Sequence, residues 1–330
     1  MNKDHPEVNY GKTGVLLINL GTPDSTNWWD IRKYLKQFLS DRRVIEVNPI
    51  LWQIILNIFI LTFRPSKTAH AYKKIWRKDT NESPLLYFTR NQTLKLKEKI
   101  NNDKIFVEFA MRYGNPSINS ELSSLREKGC ENLIILPLYP QYAAATTATV
   151  CDEVYRSLMK MRWQPSIQVV PHYESDPIYI QALVNSIEKK INEINWKPDL
   201  ILSSYHGIPK AYFDKGDPYH CYCHKTTRLI KEKFDQVDIQ TTFQSRFGPQ
   251  EWLKPYTDKT IENLPDKGVK NLLVICPGFA SDCVETLEEI NIQARESFLE
   301  KGGKKFDLVP CLNDNSDHIN LFEKLIRRFL

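Results

Sequence analysis

One histidine of this sequence stands where a buried strand is expected to end. His206 follows the apolar run Leu200–Ser203 and precedes Gly207 and Pro209, two residue types that predict a turn. A neutral imidazole at such a point can bind a metal ion or accept a proton. It can equally be a hydrogen-bonded structural residue, and its position alone does not decide between these roles.

Three carboxylates recur at helical spacing further along the chain. Asp282, Glu285 and Glu289 are three and four residues apart, which predicts that they share one helical face. Aligned carboxylates beside a cleft can carry protons or bind a hard cation. A capping residue followed by an acidic first turn has the same pattern and requires no function.

Two further groups of residues could serve a ligand. Tyr139 and Tyr142 precede the small residues Ala143–Thr147, a surface that suits a flat aromatic ligand or a packed helix start. A second group of soft metal ligands follows Gly216. Its Cys-x-Cys spacing is tighter than that of usual zinc fingers, so an ordinary loop before a helix starting near Lys225 is favoured over a metal or cluster site. The group consists of His220, Cys221, Cys223 and His224.

Continuous apolar runs of strand length alternate with helical patterns along the chain. This predicts parallel sheets covered by helices on both faces, and ligands of such sheets bind beyond the carboxyl ends of the strands. No Gly-x-Gly-x-x-Gly or Walker-type loop follows a strand, which disfavours a nucleotide cofactor. The strands are expected at Gly14–Leu20, Asn132–Leu136, Leu200–Ser203 and Asn271–Ile275.

The chain also repeats itself, although the match is short enough for generic α/β patterning to remain an alternative. Lys-Gly-x-x-Asn-Leu occurs at 128–133 and again at 267–272, and two strand-turns end in Gly-x-Pro. We therefore expect two similar α/β halves. The expected ranges are 1–145, with an apolar insertion at about 44–90, then 146–312, and a C-terminal helix at 313–330 that packs back on the first domain.

The segment Ile50–Phe63, called the apolar lip below, is unusual for a soluble chain. Its fourteen residues include only Gln53, Asn57 and Thr62 as polar ones, and a bilayer span needs about 20 apolar residues. The segment is either a buried core helix or an exposed surface that touches a membrane or an apolar ligand.

The overall composition is that of a soluble protein. Of 330 residues, 42% are hydrophobic and 26% charged, and the net charge of +5 is not concentrated in a block that would indicate nucleic-acid binding. The seven scattered cysteines are typical of reduced thiols, and Met1–Lys12 lacks an apolar signal core. We expect a cytoplasmic protein that can lie peripherally on the inner face of the membrane.

Taken together and in order, these motifs resemble the ferrochelatase family over nearly the whole chain. The resemblance implies two Rossmann-like domains with an active-site cleft between them. The matching segments are Gly14–Pro23, Ala110–Gly114, Tyr139–Tyr142, Ser204–Pro209, Gly216–Tyr219, Phe243–Gly248 with Trp252 and Leu253, and Ser281–Glu289.

The resemblance implies an enzyme that inserts Fe²⁺ into protoporphyrin IX with release of two protons, the last step of haem synthesis. His206 is then a metal ligand or proton acceptor, Glu285 the opposing carboxylate and second metal ligand, and Asp282 with Glu289 an acidic channel. No cofactor is expected, because iron is the substrate. The residues expected around the porphyrin are Leu20, Arg112, Tyr113, Tyr142, Trp252 and Phe279.

Two departures from the family pattern bear on these expectations. Cys283 stands where many members have histidine. The vertebrate iron–sulfur cluster uses a C-terminal extension that is not expected beyond Leu330, and Ala144 occupies its remaining ligand position, so no cluster is expected. The alternatives are Fe²⁺ insertion into coproporphyrin, another tetrapyrrole metal chelatase, and a two-lobed binding protein.

Overall fold

The computed structural model describes residues 11–330. The segment Met1–Lys12, which argues against an export signal, lies almost entirely outside these residues. Within the described part, the strands form two parallel sheets of four strands each, in the orders β2-β1-β3-β4 and β6-β5-β7-β8. The strands are β1 (Lys12–Gly21), β2 (Ile105–Tyr113), β3 (Cys130–Pro137), β4 (Ser166–Val169), β5 (Leu200–His206), β6 (Ile239–Gln244), β7 (Asn271–Ile275) and β8 (Lys305–Val309).

Helices cover both faces of each sheet, and three segments adopt the wider π-helical turn. The α-helices are α1 (Trp28–Leu39), α2 (Pro49–Ile55), α3 (Leu61–Ile75), α4 (Pro84–Ile100), α5 (Ile118–Glu127), α6 (Thr149–Leu158), α7 (Pro177–Glu193), α8 (Lys210–Asp214), α9 (Tyr219–Lys233), α10 (Thr257–Asn263), α11 (Arg295–Glu300) and α12 (Ser316–Arg327). The π-helical segments are Leu56–Ile60, Ala144–Ala148 and Glu285–Ala294, and Pro265–Lys267 is a short 3₁₀ turn.

Burial of the central strands on both faces explains their continuous apolar sequences. Four successive residues of β1, from Val15 to Ile18, have no solvent exposure. Alternate residues of such a strand face opposite helical layers, so each of them packs in a core. The predicted α/β architecture is confirmed.

The two sheets have the same topology, which accounts for the repeat seen in the sequence. β1 and β5 each lie at the second position of their sheet, and β3 and β7 each at the third. The turn at Gly21 therefore corresponds to the turn at Gly207, and Leu20 corresponds to His206. One half presents an apolar side chain at the position where the other presents an imidazole.

The segment forming the first sheet reaches further than the predicted range 1–145. β4 pairs with β3 in parallel, with Asn132 opposite Ser166, so the first sheet extends to residue 169. The last helix, α12, packs against α4 and α7, and Lys99 of α4 lies 3.3 Å from Glu323. The C-terminal helix is thus in contact with the first half of the chain.

The apolar lip lies on the surface, so the alternative of a buried core helix is wrong. Ile50 is 77% exposed and Phe63 72%, and Phe59 is exposed between them. Among residues 11–330, Pro49–Ile75 is the one helical segment with the length and composition of a membrane span. Its last turns nevertheless pack into the protein, since Tyr72 is buried beside α1.

Candidate active site

His206 is the last residue of β5, and its backbone is held against β6 at Gln244. The ring nitrogen Nδ1 lies 2.7 Å from the carbonyl oxygen of Gly207. A carbonyl can only accept a hydrogen bond, so Nδ1 carries a proton, and the neutral form of the ring then has its lone pair on Nε2. A side chain at Gly207 would place its Cβ 2.9 Å from the carbonyl oxygen of Gln244, which explains the glycine beside this histidine.

The carboxylates Glu285 and Glu289 belong to the π-helical segment Glu285–Ala294. The wide turn of a π-helix places residues four apart nearly above one another, so both side chains leave the helix on the same side. Gln244 donates a hydrogen bond from Nε2 to the Glu285 carbonyl at 2.9 Å. β6 therefore connects the strand end at His206 with the beginning of this helix.

His206, Glu285 and Glu289 form one electrostatic cluster. Burial raises the pKa of Glu289 above its ordinary value, and the negative charge of Glu285 adds to that shift. The hydrogen bond from the Ser245 hydroxyl at 2.5 Å and the electrostatic effect of His206 lower the pKa of Glu289 and so oppose this shift. The arrangement places an imidazole beside a carboxylate whose affinity for a proton is increased.

Asp282 does not share the helical face of the two glutamates. It precedes the helix, and its Oδ1 accepts a hydrogen bond from Thr286 at 3.0 Å while its Oδ2 accepts one from Asn313 at 2.7 Å. The backbone N–H of Cys311 donates to Oδ1 as well, at 3.3 Å. These contacts join Asp282, which precedes the helix, to Thr286 in its first turn and to the loop after β8, so the prediction of three aligned carboxylates is wrong for this residue.

Two apolar residues from opposite halves pack against one small apolar cluster. Leu20, at the end of β1, and Phe279, after β7, both contact the cluster formed by Leu85, Met111 and Cys283. Trp252 packs against the turn that follows His206, because its ring lies 3.2 Å from the Cβ position of Gly207. Its indole N–H is satisfied by the carbonyl of Phe247 at 3.0 Å.

Arg112 and Tyr113 are buried at the end of β2, where both contact Asp41. The Arg112 guanidinium forms an ion pair with Asp41 and donates to the Thr149 carbonyl at 3.0 Å, and the Tyr113 hydroxyl donates to Asp41 at 2.9 Å. Burial raises the pKa of Asp41, but the hydrogen bond from Thr149 and the charge of Arg112 bring it below its ordinary value. Asp41 therefore already compensates the charge of Arg112. The sequence did not predict this pairing for a residue expected around the porphyrin.

Tyr142 lies in a half-buried position near Asp217 and Arg43. Burial raises the pKa of its hydroxyl, and the charge of Asp217 adds to that effect. Arg43 and Arg112 line an open cavity of about 1020 Å³. The other residues around this cavity are mainly charged and include Lys33, Lys36, Arg42 and Arg156.

Three groups of functional interest were not predicted from the sequence. Glu288, next to Glu289, pairs with Lys74 of α3 at 2.9 Å. Arg64 follows the apolar lip and stacks over the ring of Phe247, 4.5 Å from its centre. The buried hydroxyls of Tyr34 and Tyr72 have raised pKa values because of burial, and Glu285 contributes to both shifts. Each of these contacts joins residues that are distant in sequence, so no local sequence pattern could have identified them.

The group of soft ligands does not converge on one point. The helix begins at Tyr219 and not near Lys225, and it places Cys223 in the core while Cys221 stays exposed. Among residues 11–330, no three His, Cys, Asp or Glu side chains come together as the ligands of one metal ion.

Solved structures with this architecture include metal chelatases. SirB from Bacillus subtilis aligns with a TM-score of 0.57 at 12% sequence identity, over 96% of this chain and 95% of SirB. CbiX, described as the terminal enzyme of sirohaem biosynthesis in denitrifying bacteria, aligns with a TM-score of 0.53 at 11% identity, over 96% of this chain and 99% of CbiX. The chain therefore has the fold of the chelatases.

Sequence comparison finds relatives that are much more similar to this chain than the solved structures are. The family model described as Ferrochelatase matches residues 12–330. A ferrochelatase from Allorhizobium ampelinum is 54% identical over 99% of this chain and 96% of the relative. One from Francisella tularensis is 50% identical over 96% of each chain. The chain belongs to the ferrochelatase family and is an enzyme, which confirms the resemblance noted in its motifs.

Proposed function

We propose that this enzyme inserts Fe²⁺ into protoporphyrin IX at the cluster of His206, Glu285 and Glu289. The observation that carries the proposal is the position of the His206 imidazole, whose Nδ1 donates to the Gly207 carbonyl, beside the two carboxylates of Glu285 and Glu289. Family membership supports the same reaction, because the relatives that match the full chain are named ferrochelatases.

Porphyrin metallation exchanges two pyrrole N–H protons for one metal ion. In this proposal, Nε2 of His206 accepts a pyrrole proton or offers a lone pair to the incoming iron, and Fe²⁺ accepts both imidazole and carboxylate ligands. Glu289 takes up the released proton readily, because burial raises its pKa. Glu285 balances the positive charge that develops on the ring.

The residues around the cluster suit a flat apolar ring. Leu20 and Phe279 supply apolar contacts from the two halves, and Trp252 supplies an aromatic one. Holding the macrocycle in a distorted shape exposes its nitrogen lone pairs, and contacts at its periphery can provide the required energy. Arg64 is a better partner for a propionate than Arg112, because the charge of Arg112 is compensated by Asp41.

In this proposal, Asp282 holds the start of the helix in place and does not carry protons. Its hydrogen bonds to Thr286 and Asn313 fix the start of the helix that carries Glu285. The reaction requires no resident cofactor, and Cys221 and Cys223 take no part in it.

The apolar lip is proposed to rest on the inner face of the cytoplasmic membrane. Ile50, Phe59 and Phe63 are more than half exposed, and partly inserted aromatic and aliphatic side chains bind peripheral proteins to bilayers. Protoporphyrin is itself apolar and partitions into membranes, so a lip at this place would receive the substrate directly.

An anaerobic assay of Fe²⁺ insertion tests the substrate. Protoporphyrin carries two propionates and coproporphyrin four carboxylates, so the two differ in the number of cations needed at the ring's edge. We expect a kcat/KM at least about tenfold higher for protoporphyrin, equivalent to about 1.4 kcal/mol. A preference for coproporphyrin would assign the chain to the alternative substrate.

A further inference from the structure

A pair of imidazoles lies outside the candidate active site, on α9. His220 and His224 are four residues apart, which puts both side chains on one side of the helix. Their ring centres are 4.4 Å apart, and the ring planes are inclined by 50°. His220 is half-buried and His224 exposed, so an ion can reach both rings from solvent.

The separation of the rings suits two ligands of one ion. Imidazole nitrogens bind Zn²⁺ at about 2.0–2.1 Å, and two imidazoles in neighbouring coordination positions then have ring centres about 4.5–5 Å apart. The observed 4.4 Å is close to this distance before any ion is bound. Small side-chain rotations are therefore sufficient to form the site.

The surroundings keep the two rings neutral and limit their motion. Burial lowers the pKa of His220, and burial together with His220 lowers that of His224. The neutral imidazole is the form that binds a metal. The ring of Phe243 lies nearly parallel to His220, with centres 5.8 Å apart, and Phe213 lies 5.1 Å away, which restricts the rotation of His220.

The neighbouring cysteines do not complete this site. Cys223 faces the core and has no solvent exposure, and Cys221 follows His220 directly, so it leaves the helix in another direction. Two imidazoles and solvent molecules are thus the coordination shell available here. Such a shell favours borderline divalent ions, with Cu²⁺ bound most tightly and Zn²⁺ and Ni²⁺ less so.

We propose that His220 and His224 form a surface site for one borderline divalent transition-metal ion, separate from His206. The site lies on the second half of the chain, with Phe243 of β6 behind it. It differs from the active site because it contains no carboxylate and no apolar cleft.

Calorimetric titration of Zn²⁺ into the His206→Ala protein tests this proposal with the imidazole of the active site removed. One Zn²⁺ is expected to bind per chain. Adding His224→Ala or His220→Ala to this background should weaken that binding by roughly tenfold or more, since losing even an outer-shell partner of a ligand costs 10–100-fold. His70→Ala, which removes an exposed histidine of α3, is the matched control and should leave binding unchanged.

Cu²⁺ bound to the same proteins gives a second measurement. The electron paramagnetic resonance spectrum should show two nitrogen ligands in the His206→Ala protein and one after either further substitution. Zn²⁺ affinity that stays unchanged when His220 or His224 is replaced would overturn the proposal, and so would equal loss in the His70→Ala control. Circular dichroism of each variant separates loss of the ligand from loss of the fold.

Discussion

Lys74 and Glu288 connect the helix that follows the apolar lip to the helix that carries the active-site carboxylates. Lys74 Nζ lies 2.9 Å from Glu288 Oε1, and Gln293 donates to the other carboxylate oxygen at 2.7 Å. The Glu288 side chain is 6% exposed and that of Lys74 36%. The position of the apolar lip is thereby coupled to that of Glu285 and Glu289.

Lys74→Met should reduce stability and activity together. It leaves the buried Glu288 carboxylate without its cation, which we expect to cost about 1–3 kcal/mol, less than for a fully buried pair because Lys74 is partly exposed. Urea unfolding measures the stability. The matched control is Lys215→Met, which breaks the more exposed pair with Glu46 and should have little effect on stability.

The double variant Lys74→Met/Glu288→Met distinguishes a positioning role from a purely structural one. Replacing both partners removes the unpaired charge and should restore much of the stability. Insertion activity should stay low, because the apolar lip is no longer joined to the carboxylate helix. Full recovery of activity along with stability would show that the ion pair does not position the site.

Glu289→Gln should lower activity while making the protein more stable at alkaline pH. Burial raises the pKa of Glu289 in the folded state, so the folded protein binds a proton more tightly than the unfolded chain, and stability falls as pH rises through that range. A glutamine at position 289 does not titrate, so the variant lacks this decrease in stability. The melting temperature of the variant relative to the native protein should therefore increase from pH 4 to pH 8.

The activity of Glu289→Gln should fall by about a hundredfold, the contribution of a proton-transferring group. Ser245→Ala is a useful comparison, since it removes the hydrogen bond to Glu289 and leaves the carboxylate in place. It should shift the pH dependence of the reaction to higher pH with a smaller loss of rate. Identical pH profiles in all three proteins would argue against Glu289 as the proton acceptor.

His318 makes the fold sensitive to acid. It is fully buried, its Nδ1 lies 2.7 Å from the Asn313 carbonyl, and burial lowers its pKa to about 4. Because the unfolded chain binds this proton more tightly, stability is complete above the ordinary pKa of 6.5 and is lost as pH falls to 4. The loss amounts to about 3 kcal/mol.

His318→Leu should flatten the decline of stability between pH 6.5 and 4, whatever its effect at neutral pH. Urea unfolding at several pH values measures this slope. His70→Ala is the control, since His70 is exposed, and its slope should match that of the native protein. A variant that keeps the full native slope would assign the acid sensitivity to other groups.

The apolar lip should bind vesicles through its exposed side chains. Replacing Ile58, Phe59 and Phe63 by serine should weaken binding to anionic vesicles about a hundredfold, taking about 1 kcal/mol for each partly inserted side chain. Leu299→Ser, an exposed leucine of α11, is the control. Insertion activity with detergent-solubilised porphyrin should change little, and unchanged vesicle binding would exclude the apolar lip as the membrane contact.

The sequence predicts the sheets well because its strands are buried on both faces. The apolar run at Gly14–Leu20 lies inside β1, and the Gly-x-Pro turns mark the ends of β1 and β5. The equivalence of the two halves followed from the short repeats, and the sheet orders confirm it. The fourth strand of the first sheet, β4, is short and half-exposed, which explains why its apolar signal was missed.

The active site was only partly predictable. Spacing alone placed Asp282 with Glu285 and Glu289, whereas the helix begins after Asp282 and then widens to π-helical turns. The sequence around Arg112 could not show that Asp41, far away in sequence, neutralises the charge of its guanidinium. The sequence likewise could not decide whether the apolar lip is buried or exposed, because a core helix and an apolar surface helix have the same composition.

The most direct test of the central claim is single-turnover insertion of Fe²⁺ by His206→Ala under anaerobic conditions, with porphyrin binding measured by fluorescence on the same protein. Because His206 is proposed to accept a pyrrole proton or bind the incoming iron, insertion should fall by about a thousandfold, while porphyrin affinity stays close to that of the native enzyme. Insertion at a rate close to the native one would contradict the assignment of His206, and with it the proposed site.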